Sequence, residues 1–335
     1  MADEYLMDNP RSDRVKKVAA LSSRAGRRKQ GLFVAEGPQP VREALRLWLA
    51  RHDAGPDPAG PDPAAPAGEA EPAPGAGHIP SGDPHLLPQL DALYFTSEAL
   101  EQHPDLAALV DQARGVLFDP QAQLPRGARF FLREATSATL QAMSDAETPQ
   151  GVLTVCRIPR NPGPEAQALL ADRMRLGAAL LGVQDPGNAG TIIRVADAAG
   201  ADAVVLSPGT TDPWAPKVVR AAAGSHFHLP VLTGVDPAAA ADDFRARGLQ
   251  ILAAHGYANL SLAQLQAGAG APSLQRRTVW LFGNEAHGLS PAERDLADAA
   301  VSIPLYGQAE SLNVAAAAGI CLYASAMAQR AEGTP

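Results

Sequence analysis

The sequence predicts an α/β protein whose carboxy-terminal half is a parallel sheet covered on both faces, preceded by a smaller α/β unit. Three observations predict this. From residue 176 onward, short and nearly continuous apolar runs alternate with helical segments, the pattern of buried parallel strands and their crossovers. Residues 53–90 form a Pro/Ala/Gly stretch that cannot bury a core and reads as a disordered insertion within the first unit. Residues 159–165 (PRNPGPE) read as a linker by composition. The expected division is 1–157 for the smaller unit, 158–175 for the linker and 176–335 for the parallel-sheet domain.

Each element has its own signal. Leu32–Glu36 reads as a short strand and Gln39–Ala50 as an amphipathic helix. After the insertion, Ala92–Thr96 and the β-branched run Gly151–Arg157 read as strands, with helical segments near 98–113 and 136–143. In the second half, strands are expected at Leu176–Gln184, Ala203–Ser207, Leu249–His255, Thr278–Gly283 and Ala300–Leu305. Helices are expected at Thr191–Ala199 and Asn313–Ala328.

Composition narrows the function. Hydrophobic residues make up 46% of the 335, but aromatics only 5%, so the core is built from aliphatic side chains. Two distant cysteines, Cys156 and Cys321, form neither a disulfide framework nor a metal cluster and suit a reducing cytoplasm. Met1–Pro10 is acidic and polar, so no secretory leader is expected, and the apolar run Val314–Ala328 is too short to span a bilayer. His226 and His228 alternate on an expected strand, but two histidines without a third ligand do not make a metal site. The net charge of −8 is unevenly distributed: residues 11–51 carry eleven Lys/Arg against three Asp/Glu, a local +8 on a body of about −16. A basic arm containing Arg27, Arg28 and Lys29 is a candidate for phosphate contacts; a solvated helix face is the alternative.

Ligands of parallel α/β sheets bind at the carboxyl ends of strands. Three strands here end in polar, glycine-bearing loops, at Gly182–Arg194, Leu281–Ser290 and Ile303–Ala315. The glycines at 182, 187 and 190 have the wrong spacing for a dinucleotide fingerprint, and no lysine makes a Walker loop. Ordinary roles are open to each residue: Asn188 and Ser311 as helix caps, Arg194 paired with Asp197, and Glu285 in a solvated turn. Their convergence on one end of one sheet favours a shared site.

The three segments resemble, in order, the motifs D-P-G-N-x-G-x-x-x-R, F-G-N-E-x-x-G-[LI] and I-P-x-x-G-x-x-E-S-L-N-V of the SpoU/TrmH RNA methyltransferases. Trp214–Gly224 resembles the intermediate P-K-x-x-R-A-x-x-G segment of that family and contributes Lys217 and Arg220 as further candidate RNA contacts. Lys16–Leu45 is more distantly similar to the family's amino-terminal substrate-binding domain. Ala315 stands where the family often has a second serine, so any contact made by that hydroxyl is missing.

The resemblance implies a trefoil-knotted fold, a homodimer, and S-adenosylmethionine as cofactor, with Leu281, Gly283, Ile303 and Leu312 in contact with it and no metal. It implies methyl transfer to a ribose 2′-hydroxyl in RNA, with large-subunit (23S) ribosomal RNA favoured over transfer RNA. It also gives Arg194 the central catalytic role. A guanidinium is a poor base at neutral pH, so the expected role of Arg194 is to bind the neighbouring phosphate and stabilise alkoxide charge. Asn188, Glu285, Ser311 and Asn313 are expected to orient Arg194 and the ribose. A dinucleotide oxidoreductase and a non-catalytic RNA-binding protein are the competing classes.

Overall fold

The computed structural model describes residues 6–52, 86–121, 124–125, 127–161, 170–268 and 272–331. The expected insertion at 53–90 lies outside the described residues except for 86–90. Those five correct its boundary: Leu86, Leu87 and Leu90 are buried, and the following strand already begins at Gln89.

The first sheet grows from short, well-capped elements. Helices α1 (Asp13–Ala19) and α2 (Arg24–Gln30) are capped by Ser12 and Ser23, each accepting a main-chain N–H of the first turn. Gly31, at φ 66°, ends α2 in the left-handed conformation and turns the chain into β1 (Leu32–Glu36). Then follow α3 (Pro38–His52), β2 (Gln89–Phe95), α4 (Ser97–Gln102), α5 (Pro104–Phe118), β3 (Phe131–Glu134), α6 (Ser137–Met143) and β4 (Val152–Arg157). The helix expected over 98–113 is two helices because Pro104 ends one and starts the next. The sheet order is β1-β4-β2-β3, antiparallel except for β2 with β3.

The second sheet contains β5 (Leu176–Leu180), α7 (Pro186–Ala198), β6 (Ala203–Leu206), α8 (Pro216–Ala222), β7 (Val231–Thr233), α9 (Pro237–Ala246), β8 (Gln250–Ala254), β9 (Leu260–Ser261), α10 (Leu262–Gln266), β10 (Thr278–Phe282), α11 (Pro291–Arg294), β11 (Ala299–Ser302) and α12 (Val314–Ala331). Its order is β7-β6-β5-β10-β8-β11-β9, and every pairing is parallel. The chain leaves β5 toward β6 and β7, then supplies the other side of the sheet. The loops after the adjacent strands β5 and β10 therefore lie at the point where strand order reverses, where open α/β sheets bind ligands.

Burial alternates along the strands as a two-faced sheet requires. Trp280 and Phe282 of β10 enter one core cluster, Val279 and Leu281 the other. The last helix docks on the first of these faces through small buried residues, Ala315, Ala318, Cys321 and Ser325. The Trp280 indole donates to Ser325 Oγ (2.9 Å), and the Gln329 amide donates to the carbonyls of Arg175 and Arg276. These bonds fasten the carboxy-terminal half of α12 to the sheet.

The two sheets share a core. Phe33 of β1 packs against Trp214 with ring centroids 4.9 Å apart, and the cluster continues into α7 and α12. His226 and His228 lie not on a strand but in and just after a 3-10 turn at Ser225–Phe227, because Gly224 (φ 101°) breaks the chain direction before them. His226 is fully buried, its Nε2 bonded to the Pro213 carbonyl, and desolvation pushes its pKa down to about 4. Among the described residues no helix is long and apolar enough to cross a membrane.

Candidate active site

The first loop is shaped by its helix start. Asp185, not Asn188, caps α7: its carboxylate accepts the Asn188 N–H (2.8 Å), and Pro186 occupies the first turn, where a missing N–H does no harm. The helix therefore starts five residues before the expected Thr191. Gly190 is required for packing: a Cβ there would lie 2.5 Å from the Val218 carbonyl oxygen and 2.6 Å from Ala221 Cβ of α8.

The second loop reaches across to the first. Glu285 accepts from the main-chain N–H of Gln184 at one oxygen (3.0 Å) and from Asp185 N–H (2.9 Å) and Asn188 Nδ2 (3.1 Å) at the other. Burial raises its pKa, but these three donors outweigh it and hold the carboxyl below the ordinary range. Asn284 Nδ2 donates to the Gly182 carbonyl (2.9 Å), and its Oδ1 accepts from Ala286 and His287. Gly283 permits this hairpin, since a Cβ would come within 2.3–2.5 Å of the Gly288 and Leu289 backbone.

The third loop joins through Asn313. Its Nδ2 donates to Asn188 Oδ1 (2.9 Å), while its own Oδ1 caps α12 by accepting from Ala315 (2.9 Å) and Ala316 (3.3 Å). Ala315 is buried, so its side chain faces the core and the turn is capped without a serine there. The main-chain N–H groups of Leu305–Leu312 meet no acceptor among the described residues. Leu305, Tyr306 and Leu312 in this loop are exposed.

Asn188, Glu285 and Asn313 are thus brought together in one bonded chain. The ordinary roles open to these residues are not the ones they take: Asp185 and Asn313, not Asn188 and Ser311, cap the helices, and the Asp197 carboxylate binds His228 and not Arg194. Among the described residues no side-chain hydrogen bond joins Arg194 to Asn188, Glu285 or Asn313. Arg194 is exposed, six residues after Asn188 on α7, and makes no ion pair among the described residues. Ser311 is exposed as well and makes no side-chain hydrogen bond among them. Gln184, Asp185 and Asn284 belong to the same network. They lie within the motifs, but their part depends on main-chain contacts that spacing does not reveal.

The expected cofactor residues divide. Leu281 is 5% exposed with its side chain in the second core cluster, so only its backbone faces the strand mouth. Gly283 and Ile303 directly follow β10 and β11, and Leu312 precedes Asn313, which bonds Asn188.

The expected RNA contacts divide too. Arg28, Lys29 and Lys217 are exposed. Arg27 is 4% exposed, pairs with Asp212 at 2.7 Å and donates to the carbonyls of Leu21 and Ser22, so it is an internal tie and not a phosphate contact. Arg220 binds Asp145 at 3.2 Å and has one buried guanidinium nitrogen, which takes it out of the free basic surface.

The SpoU rRNA Methylase family model matches residues 175–323. Over 184 residues the chain is 41% identical to the 23S rRNA (guanosine(2553)-2′-O)-methyltransferase RlmP of Bacillus subtilis, covering 54% of this chain and 67% of that protein. Over 238 residues it is 32% identical to the 23S rRNA (uridine(2479)-2′-O)-methyltransferase of Streptomyces viridochromogenes, covering 66% and 77%. The structure is similar to that of an AdoMet-bound rRNA methyltransferase from Sinorhizobium meliloti, with a TM-score of 0.66, 25% identity and coverage of 98% and 99%.

Proposed function

The chain belongs to the SpoU rRNA methylase family, and from that premise we propose that it transfers a methyl group from S-adenosylmethionine to a ribose 2′-hydroxyl of large-subunit (23S) ribosomal RNA. The observation that carries this reading is the bonded chain Glu285–Asn188–Asn313, which ties together three loops at the mouths of parallel strands. The two relatives above are named for different nucleotides, a guanosine and a uridine, so the reading is of the reaction and RNA class, not of one base.

The site suits the cofactor. The loop Leu305–Leu312 offers main-chain donors without internal acceptors beside exposed apolar side chains, the mixture that an adenosine and an amino-acid tail require. Gly283, Ile303 and Leu312 would hold it, with Leu281 contributing backbone only. When bound, the cofactor supplies a methyl group on a sulfonium, which carries the driving force. The protein orients the ribose. Glu285 stays ionised at neutral pH with both oxygens engaged, so it holds the loops and is not a free base. Arg194, without an ion pair among the described residues, is available to a substrate phosphate and to the charge developing on the 2′-oxygen. Ser311 is free to meet the ribose.

The same reading includes a homodimer acting in the cytoplasm. Ile320, Tyr323 and Met327 are exposed at successive turns of α12, an apolar stripe that a second copy would cover. The Tyr323 hydroxyl donates to the Ala198 carbonyl (3.3 Å), which places the stripe beside the α7 face bearing Arg194. The amino-terminal unit, through Arg28 and Lys29, and Lys217 would hold RNA beyond the reacting nucleotide.

The test is incubation of the full chain with labelled S-adenosylmethionine and deproteinised 23S ribosomal RNA or transfer RNA, followed by mass spectrometry of the digested RNA. A 2′-O-methylated nucleoside from the 23S sample is expected. Label only in the transfer RNA would move the substrate, and label on a base would overturn the reaction.

A further inference from the structure

Between the two sheets runs a groove of about 760 Å³, of whose lining the reading above uses only Arg28. One side carries Arg24 and Arg28 of α2 together with Arg157 and Arg160 at the end of β4; the other is the loop 207–214 after β6. Asp91 and Asp212 are the two carboxylates of the lining, and both are engaged: Asp91 with Arg157 at 3.3 Å, Asp212 with the buried Arg27 at 2.7 Å. Arg24, Arg28 and Arg160 are exposed and make no ion pair among the described residues. In a chain of net charge −8 carboxylates are abundant, yet none among the described residues pairs with these three.

The placement opposes local stability. Arg24 and Arg28 stand four residues apart on one face of α2, where like charges repel. Arg24 also opens that helix, the end where the peptide dipoles disfavour a cation. A set of arginines that repel one another along a concave surface is stabilised when a polyanion fills it.

The opposite wall is continuous with the candidate active site. The Gly182 N–H is within reach of both Ser207 Oγ (3.2 Å) and Thr210 Oγ1 (3.1 Å), and Thr211 N–H donates to the Val183 carbonyl (2.9 Å). The Gln184 side chain donates to the Gly209 carbonyl, while its main-chain N–H holds Glu285. A strand lying in the groove thus runs along the back of the loop that presents Asn188. Gly209 and Gly234 on this side leave open space where a side chain would stand.

We propose that this groove holds the phosphodiester backbone of the RNA segment flanking the target ribose, with Arg24, Arg28 and Arg160 as its phosphate contacts. The inference rests on the RNA-methyltransferase reading and extends the substrate site from the three strand-mouth loops to a defined groove between the sheets. Phosphate contacts release counterions, so each lost contact flattens the log–log salt dependence of single-strand binding by roughly 0.7.

The experiment compares the full chain with a triple variant, Arg24→Gln, Arg28→Gln and Arg160→Gln. A charge-matched control, Arg11→Gln, Lys16→Gln and Lys17→Gln, alters exposed cations outside the groove. Labelled polyuridine is titrated at several salt concentrations, with S-adenosylmethionine affinity and melting temperature measured alongside. The expected result is a slope lowered by about two in the groove variant only, with cofactor affinity unchanged. As a second measurement, 4-thiouridine in the strand should crosslink wild-type chain within residues 206–214 or 157–160. Equal slopes for the two variants, or crosslinks confined elsewhere, overturn the groove while leaving the reaction intact. Polyglutamate displacing the RNA from the wild type at equal charge, but not from the groove variant, would assign the groove to an acidic protein and overturn the proposal. A wild-type chain that neither binds RNA nor methylates it overturns both the groove and the reading beneath it.

Discussion

At the scale of single residues, the site separates groups that build it from groups that face the substrate. Arg194 is exposed and makes no ion pair among the described residues, so Arg194→Ala should leave the melting temperature and S-adenosylmethionine affinity unchanged. Turnover should fall by on the order of a hundredfold or more, the usual loss when a charge-stabilising donor is removed. Calorimetry beside a turnover assay checks this, and wild-type turnover would remove Arg194 from the mechanism. Glu285 behaves differently because three donors converge on it. Glu285→Gln turns an amide toward at least one of them, a loss of about 1–3 kcal/mol at a buried site and less at this exposed one. The sign of its pH dependence follows from a lowered folded-state pKa. Its contribution is present above the unfolded value and is lost as pH falls through the lower folded one. Wild-type stability relative to Glu285→Gln should therefore be constant at neutral pH and shrink in acid. Urea titrations at both ends of that range measure it; a difference that grows in acid would mean the carboxylate is not held as described.

At the scale of elements, α7 and α12 decide where the loops stand. Gly190 lets α7 approach the α8 backbone, so Gly190→Ala forces the helices apart and should cost about 1–3 kcal/mol. Denaturant unfolding reads this directly, and a variant as stable as wild type would show that the contact yields. The α12 stripe makes a different prediction. Tyr323→Glu with Met327→Glu places charges on the surface proposed to pair two copies. Analytical ultracentrifugation should show a dimer for the wild type and a monomer for the double variant, with the near-ultraviolet spectrum retained. A wild-type monomer would leave the stripe without the proposed partner.

At the scale of the whole molecule, the two sheets are held together by ionic ties over a shared apolar core. His228 joins them: Nδ1 bonds Asp197 of α7 at 2.7 Å and Nε2 bonds Glu43 of α3 at 3.2 Å. The hydrogen bond to Asp197, then that to Glu43, pushes its pKa up to about 9 against the effect of burial. At Glu43, burial raises the carboxyl, but the His228 bond and the charges of Arg46 and Arg42 outweigh it and hold it low. A histidine raised in this way contributes fully below its unfolded value of about 6.5 and loses that contribution as pH rises through about 9. After allowance for solvent screening of a half-exposed ring, about 1–2 kcal/mol is at stake. The stability difference between wild type and His228→Gln should therefore fall steadily from pH 6.5 to 9.5. A difference that stays flat across that range would mean the histidine is not charged in the folded protein.

Most of the strands and half of the helices were legible because burial writes itself into local pattern: Leu32–Ala35 and Val279–Phe282 are continuous apolar runs for that reason. Asn188, Glu285 and Asn313 were legible as site members because polar residues at strand mouths stand out against such runs. The remaining elements were not legible, among them the short strands Phe131–Glu134 and Val231–Thr233 and the helices Arg24–Gln30 and Pro237–Ala246, since short elements carry no strong apolar period. Partnership was the part that sequence could not supply. Arg27 and Arg28 are adjacent cations of equal local merit, yet one lies beneath the groove bound to Asp212, 185 residues away, and the other faces solvent. Local composition fixes whether a side chain can be charged. Only the packing of two sheets determines which charges are enclosed and which remain free for a ligand, because desolvation and pairing depend on distances that the chain sets after folding.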